Sequence, residues 1–223
     1  MTSVVNKSEN QLRMVVMAIY PKFYSLEREK QERIINAALK EFAKNGYEKA
    51  STNEIVKEAG ISKGSLFNYF HSKKELYLFL LGYAAQMVEK IYAEVDWDER
   101  DCFQRLRQIG LVKLKVFQRF PQAFNFLLAL QQEDAPEVKA HVQSFSKNLI
   151  SSGFEKGYRN IDWTKFRDDV DREKMLNIIN WTLLGIAEVY RDKVDSVEDL
   201  GPEVLREAEE YFEILRRCFY KME

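Results

Sequence analysis

Residues 34–76 read IINAALKEFAKNGYEKASTNEIVKEAGISKGSLFNYFHSKKEL, and this stretch decides the fold. Ile34, Ala38 and Phe42 recur at a spacing of four, Ile35 and Leu39 widen the stripe, and charges fill the other face. That period predicts an amphipathic helix over 26–45, with Ser25 as cap, Glu27 and Glu29 in its first turn and Gly46 as its stop. A short helix follows, opened by Ser51 or Thr52, with Ile55, Val56 and Ala59 inward and Gly60 at its end. Ile61 is expected as a buried spacer. Ser62 caps a second short helix over 63–70, and Ser72 with Glu75 has the S-x-x-E form that opens another helix, reaching about residue 94.

Outward from this stretch the chain continues as helices. Expected spans are 99–119, 121–132, 136–156, 171–192 and 202–221. Pro121, Pro136 and Pro202 each sit where a first turn tolerates a missing N–H. Residues 158–169 carry mixed signals and read as a turn with a short helix. Nine Gly and four Pro in 223 residues favour long helices over a β-sandwich, and 46% hydrophobic residues suffice for a buried core. The expected class is therefore all-α. Formal net charge is −1, a sum that neither supports nor opposes nucleic-acid binding. Cys102 and Cys218 are far apart and form no CxxC, so no disulfide framework or zinc site is expected, which suits a reducing cytoplasm. No apolar run is long enough to span a bilayer. The run from Met14 to Tyr20 is too short for a secretory leader, and the sequence allows a start at Met17.

Two short helices joined by a glycine turn make a helix-turn-helix. Thr52, Ile55, Ala59, Gly60, Ile61, Ser62, Gly64, Leu66 and Phe70 fall where it needs caps, core residues and the turn. Ala59 must be small for the helices to cross closely, and Gly60 supplies a positive φ. The segment 34–76 resembles the DNA-binding domain of the TetR family of regulators. It has Ala-Ala then Phe in the first helix, a Gly-Tyr stop, Thr opening the second helix, Ala-Gly at the turn, Ser-x-Gly, Tyr-Phe and Ser-Lys. The resemblance implies an N-terminal three-helix DNA-binding domain over 26–72, preceded by a flexible arm over 1–25. A helical ligand-binding and dimerisation domain over 73–223 would follow.

The resemblance and the chemistry together nominate Thr52, Asn53, Lys63, Gly64, Ser65, Phe67, Asn68, Tyr69 and Lys73 as DNA-binding residues. Thr52 and Asn53 open a helix whose N-terminal amides can receive a phosphate. Lys63 suits guanine, Asn68 adenine and Phe67 a thymine methyl, while Gly64 allows close approach. Tyr69 and Lys73 suit phosphates. Phe67 stands where the family usually has Tyr, which removes one hydroxyl. Residues 60–74 contain Lys63, Lys73 and Lys74 and no acid.

For the later helices the resemblance implies a small apolar or aromatic effector, with Phe117, Phe120, Phe124, Phe145 and Trp181 as candidate lining, Trp181 being open to a place at the subunit contact instead. It also implies a homodimer through the last two helices, with Ile179, Leu183, Ile186, Leu205 and Phe212 as candidate contacts. The partners are then double-stranded operator DNA, a second copy of the chain and the effector. The expected role is a repressor that releases a palindromic operator; the alternatives are an activator or ligand-independent regulator, and a helical enzyme or adaptor with an incidental helix-turn-helix. No cofactor and no metal are expected. Glu133 and Asp134 near His141 read better as an exposed acidic turn than as a metal constellation. No nucleophile elbow, HExxH, phosphate loop or CxxC pair argues for an enzyme.

Overall fold

The computed structural model describes residues 19–191 and 193–221. Its helices are α1 Pro21–Tyr24, α2 Arg28–Lys49, α3 Thr52–Ala59, α4 Lys63–Phe70, α5 Lys73–Ala93, α6 Cys102–Arg119, α7 Pro121–Ala129, α8 Lys139–Tyr158, α9 Arg172–Arg191 and α10 Glu203–Phe219. Short 3-10 turns lie at Leu130–Gln132, Trp163–Lys165 and Val197–Asp199. Among the described residues there is no strand, only an isolated antiparallel bridge between Phe166 and Tyr220, so the chain is all-α. No helix among them is long and apolar enough to cross a membrane.

The chain divides into two compact units, residues 1–82 with 129–142 and residues 83–128 with 143–223. In the first, the stripe of α2 is inward: Ile34, Ile35, Ala38, Leu39 and Phe42 are all buried. Ile55 and Ala59 of α3 and Leu66 and Phe70 of α4 complete that core, whereas Ile61 between them is only half-buried. Gly46, at φ 65° and ψ 178°, kinks α2 three residues before its end. The turn between α3 and α4 is a Schellman closure. Gly60 is left-handed, its N–H reaches Lys57 O at 3.3 Å, and the Ile61 N–H reaches Val56 O at 3.0 Å. A Cβ at Gly60 would meet nothing within 4 Å, so the need for glycine there is conformational and not steric.

Of the expected arm, residues 1–18, Met14 and Met17 among them, lie outside the described residues. The following residues are packed and are no arm. Phe23 is fully buried, with its ring 4.9 Å from Phe70 and 5.2 Å from Phe79, and Tyr20 lies 5.5 and 5.3 Å from the same two rings. Sequence reading missed this clasp because four residues of helix carry no period.

The residues 129–142 bring acids to the same unit. The Glu133 carboxylate accepts from the Tyr47 backbone N–H at 2.6 Å, the Ala135 N–H at 3.0 Å and the Tyr77 hydroxyl at 3.4 Å. Glu137 accepts from the Tyr47 hydroxyl. Burial first, then the hydrogen bond to Glu137, raises the Tyr47 hydroxyl above its ordinary pKa, so it stays a donor at neutral pH. Glu133 is thus a half-buried fastener of the α2 kink and not an exposed acidic turn.

The second unit packs α6, α9 and α10 around Phe103, Leu106, Met175, Ile179, Phe212, Leu215 and Phe219. Arg105 is fully buried on α6. Its guanidinium donates to the carbonyls of Arg159 at 3.2 Å, Trp97 at 3.1 Å and Glu99. One side chain thereby ties the turn before α6 to the end of α8. Asp101 caps α6, accepting from Phe103 N and Gln104 N, each at 3.1 Å.

Candidate nucleic-acid interface

The recognition surface starts from a cap. Ser62 Oγ accepts from Ser65 N at 3.1 Å and pairs with Ser65 Oγ at 2.8 Å, which sets where α4 begins. Ser65 is therefore half-buried and its hydroxyl is engaged within the turn. Lys63, Gly64 and Asn68 are exposed, and Phe67 and Tyr69 are half-buried. A Cβ on Gly64 would meet only Ser62 Oγ, at 3.9 Å, so its outer side is open to a close approach. Leu66 and Phe70, buried on the opposite face, hold α4 against α3. Lys63, Gly64, Phe67 and Asn68 thus share one short helix on a fixed seat.

The other nominated residues flank this helix. Ser51, not Thr52, caps α3: its side chain accepts from Glu54 N at 3.4 Å, and its own N–H is held by Glu41 at 2.8 Å. Thr52 is the first helical residue and half-buried, and Asn53 beside it is exposed. Lys73 is half-buried and its ammonium lies along the surface of its own unit. Its ammonium donates to Glu48 O at 3.1 Å and lies 4.9 Å from the centre of the Tyr47 ring. Burial lowers its pKa, against the opposite pull of Glu137, Glu41, Glu133 and Glu48. The residue the sequence did not nominate is Lys22. Its Nζ donates to Asn68 Oδ1 at 2.7 Å across 46 residues of chain. Two signals could have been weighed: a lysine in an otherwise apolar PKFY run, and the aromatic residues on either side of it.

The candidates in the second unit are distributed differently. Phe117 and Phe124 meet at 4.3 Å between ring centres, Phe124 buried and Phe117 half-buried. Phe120 is half-buried beneath the cations of Arg119 and Lys90, at 5.2 and 5.5 Å, and Phe145 is half-buried on α8. Trp181, nominated with them, is 66% exposed and lines nothing inside the protomer. The nominated dimer contacts also need correction. Ile179 and Phe212 belong to the core of the unit and Leu183 packs against it. Ile186 is buried, and Leu205 lies so close to Gly110 that a Cβ there would meet it at 2.8 Å. The outward apolar residues of these two helices are Ile178, Trp181, Leu184, Val189, Tyr211 and Ile214. The apolar surface of α9 is wider than one face, and periodicity alone does not tell which edge a chain keeps for itself.

Comparison with known proteins agrees with this geometry. Residues 34–79 match the family of bacterial regulatory proteins, tetR family. Over 56 residues the chain is 50% identical to the uncharacterized HTH-type transcriptional regulator YuxN of Bacillus subtilis, a match that covers 25% of this chain and only 19% of YuxN. It is 28% identical over 182 residues to the HTH-type transcriptional regulator RutR of Escherichia coli O157:H7, covering 80% of this chain and 81% of RutR. In fold it is similar to a TetR family transcriptional regulator from Chloroflexus aurantiacus, with a TM-score of 0.68 at 23% identity over 91% of this chain and 98% of the other. The family match thus lies on residues 34–79, which carry the helix-turn-helix and resemble the tetR family of bacterial regulatory proteins, and over the rest of the chain the likeness to a TetR family regulator is one of fold.

Proposed function

We propose that this chain is a DNA-binding transcriptional regulator that acts as a homodimer, represses by occupying a near-palindromic operator and leaves it when a small apolar or aromatic effector binds. The observation that carries the reading is the acid-free segment 60–74 that contains α4, with Lys63, Gly64 and Asn68 exposed and the helix start pinned by Ser62. Lysine neutralises phosphates and supplies affinity without regard to sequence, while the exposed residues of a seated helix read base edges in the major groove. The protein works in the cytoplasm and does no catalysis; its output is occupancy of DNA.

Dimerisation follows the outward stripe of α9 and α10, where Ile178, Trp181, Leu184 and Ile214 are exposed. A two-fold axis through that stripe matches a two-fold operator. The effector site is placed among the aromatics of α6, α7 and α8, Phe117, Phe120, Phe124 and Phe145. An effector shifts DNA affinity only by its differential binding to the two arrangements of the dimer. The DNA-binding domain over 26–72 and the sensing domain over 73–223 are the parts so coupled.

The test is binding of the purified full chain to the DNA upstream of its own gene, measured by fluorescence anisotropy over a range of salt concentrations. Affinity should fall steeply with salt. Lys63→Ala should weaken it and reduce the salt slope by about 1, the signature of one lost cationic contact. Unchanged affinity and slope in Lys63→Ala would remove α4 from the interface.

A further inference from the structure

We propose that Lys22 and Asn68 form a composite base reader, in which Lys22 is a positioning residue that turns Asn68 from an adenine-type into a guanine-type contact. The inference rests on the reading of α4 as the groove-facing helix.

The pair is built and not incidental. Phe23, next to Lys22, is fully buried against Phe70 and Phe79, and Tyr20 packs on the same rings. Ser25 Oγ donates to the Lys22 carbonyl at 2.9 Å, and Gln31 Nε2 donates to the carbonyls of Leu26 and Tyr24 at 2.7 and 3.3 Å. The segment around residue 22 is therefore fixed by its own local hydrogen bonds and by the packing of Tyr20 and Phe23 on Phe70 of α4. From there its ammonium reaches Asn68 Oδ1 at 2.7 Å.

The chemistry of that contact is directional. An ammonium has donors and no acceptor, so it selects the oxygen end of the amide and fixes which way Asn68 is turned. Asparagine reads adenine by accepting from the N6 amino group through Oδ1 while donating to N7 through Nδ2. Here the ammonium stands at Oδ1, where its protons confront those of an adenine N6 amino group. Guanine presents acceptors at both N7 and O6. The Lys22 ammonium and the Asn68 amide offer donors side by side, which is the complement of guanine.

The experiment selects binding sites for the full chain from random duplexes, then measures competition between duplexes that differ at single positions. In the unmodified protein, the position whose preference Asn68→Ala flattens should be guanine. Lys22→Met should move that same position towards adenine, changing the guanine-to-adenine ratio on the order of tenfold. Both residues are exposed, so neither substitution should disturb folding. Adenine at that position in the unmodified protein overturns the proposal. So does a Lys22→Met protein that loses affinity equally for all sequences with a shallower salt slope, since Lys22 would then touch only a phosphate. If Asn68→Ala leaves every preference intact while Lys63→Ala still weakens binding, the pair fails and the reading of α4 survives. If Lys63→Ala is also silent, that reading itself has failed.

Discussion

The two units treat their apolar residues in opposite ways. In the first, the apolar stripe of α2, Ile55 and Ala59 of α3, Leu66 and Phe70 of α4 and the clasp before them turn inward, and among its described residues Ile19 is the large hydrophobic left exposed. In the second, Ile178, Trp181, Leu184, Val189, Tyr211 and Ile214 stand in solvent on two neighbouring helices. Exposed apolar surface gathered in one place marks a contact with something else, whereas scattered single residues need no explanation. The first unit has thus placed most of its apolar side chains in its own interior and shows a face that bears the exposed Lys63 and Asn68. The second keeps a core of its own and has apolar surface left over.

The strongest way to test the self-sufficiency of the first unit is to hollow it. Phe23→Ala removes a fully buried ring from contact with Phe70 and Phe79, and a loss of about 3–5 kcal/mol is expected from such a truncation. Urea denaturation of the full chain should show an earlier transition, with the association state of the folded protein unchanged. A cost below about 1 kcal/mol, less than a typical buried truncation, would mean the clasp is dispensable.

The converse change belongs to the second unit. Trp181→Glu places a charge on the outward stripe at a residue 66% exposed in the protomer, so folding should be nearly indifferent to it. Association should weaken by about 2–4 kcal/mol if Trp181 is a central anchor of the dimer. Sedimentation equilibrium reads this directly. A dimer of unchanged dissociation constant would move the interface off α9 and erase the contrast between the units.

How much of this the sequence displayed follows the same division. Residues 34–76 were legible because every device in them is local. The spacing of Ile34, Ala38 and Phe42 gives the helix, Ser62 and Ser72 accept from N–H groups three residues on, and Gly60 closes α3 within its own turn. The parts that were not legible are joined across long separations. Lys22 meets Asn68 over 46 residues and Tyr47 meets Glu133 over 86, and no period links such pairs. Lys73 was assigned from its place in a motif, and its contacts with Glu48 O and the Tyr47 ring, 25 and 26 residues away, carried no signal in the sequence. On α9 the apolar residues were visible, yet Ile179 and Trp181 lie on opposite sides of the boundary between core and solvent, a distinction made by packing partners and not by composition.

The finest contrast lies in how the two units start their helices. Ser51 and Ser62 cap α3 and α4 with hydroxyls, which do not titrate in the acid range. Asp101 caps α6 with a carboxylate that accepts from Phe103 N and Gln104 N and pairs with Lys165 Nζ at 2.9 Å. Burial opposes ionisation of Asp101, but the Gln104 amide and Lys165 outweigh it and hold the pKa below its ordinary value. A carboxylate whose pKa is lower folded than unfolded contributes stability that is fully present above the unfolded value, about 3.9, and lost as pH falls through the folded one. Asp101→Ala should therefore cost about 1 kcal/mol at neutral pH, as a lost cap does, and progressively less below about pH 4. Ser62→Ala should cost a similar amount, about 1 kcal/mol, at both pH values. Denaturant midpoints of the two variants and the unmodified chain, compared at neutral pH and near pH 3, separate the cases. Equal pH dependence in both variants would show that the charge on Asp101 adds nothing to its cap, and that the two units begin their helices by the same neutral hydrogen bonding.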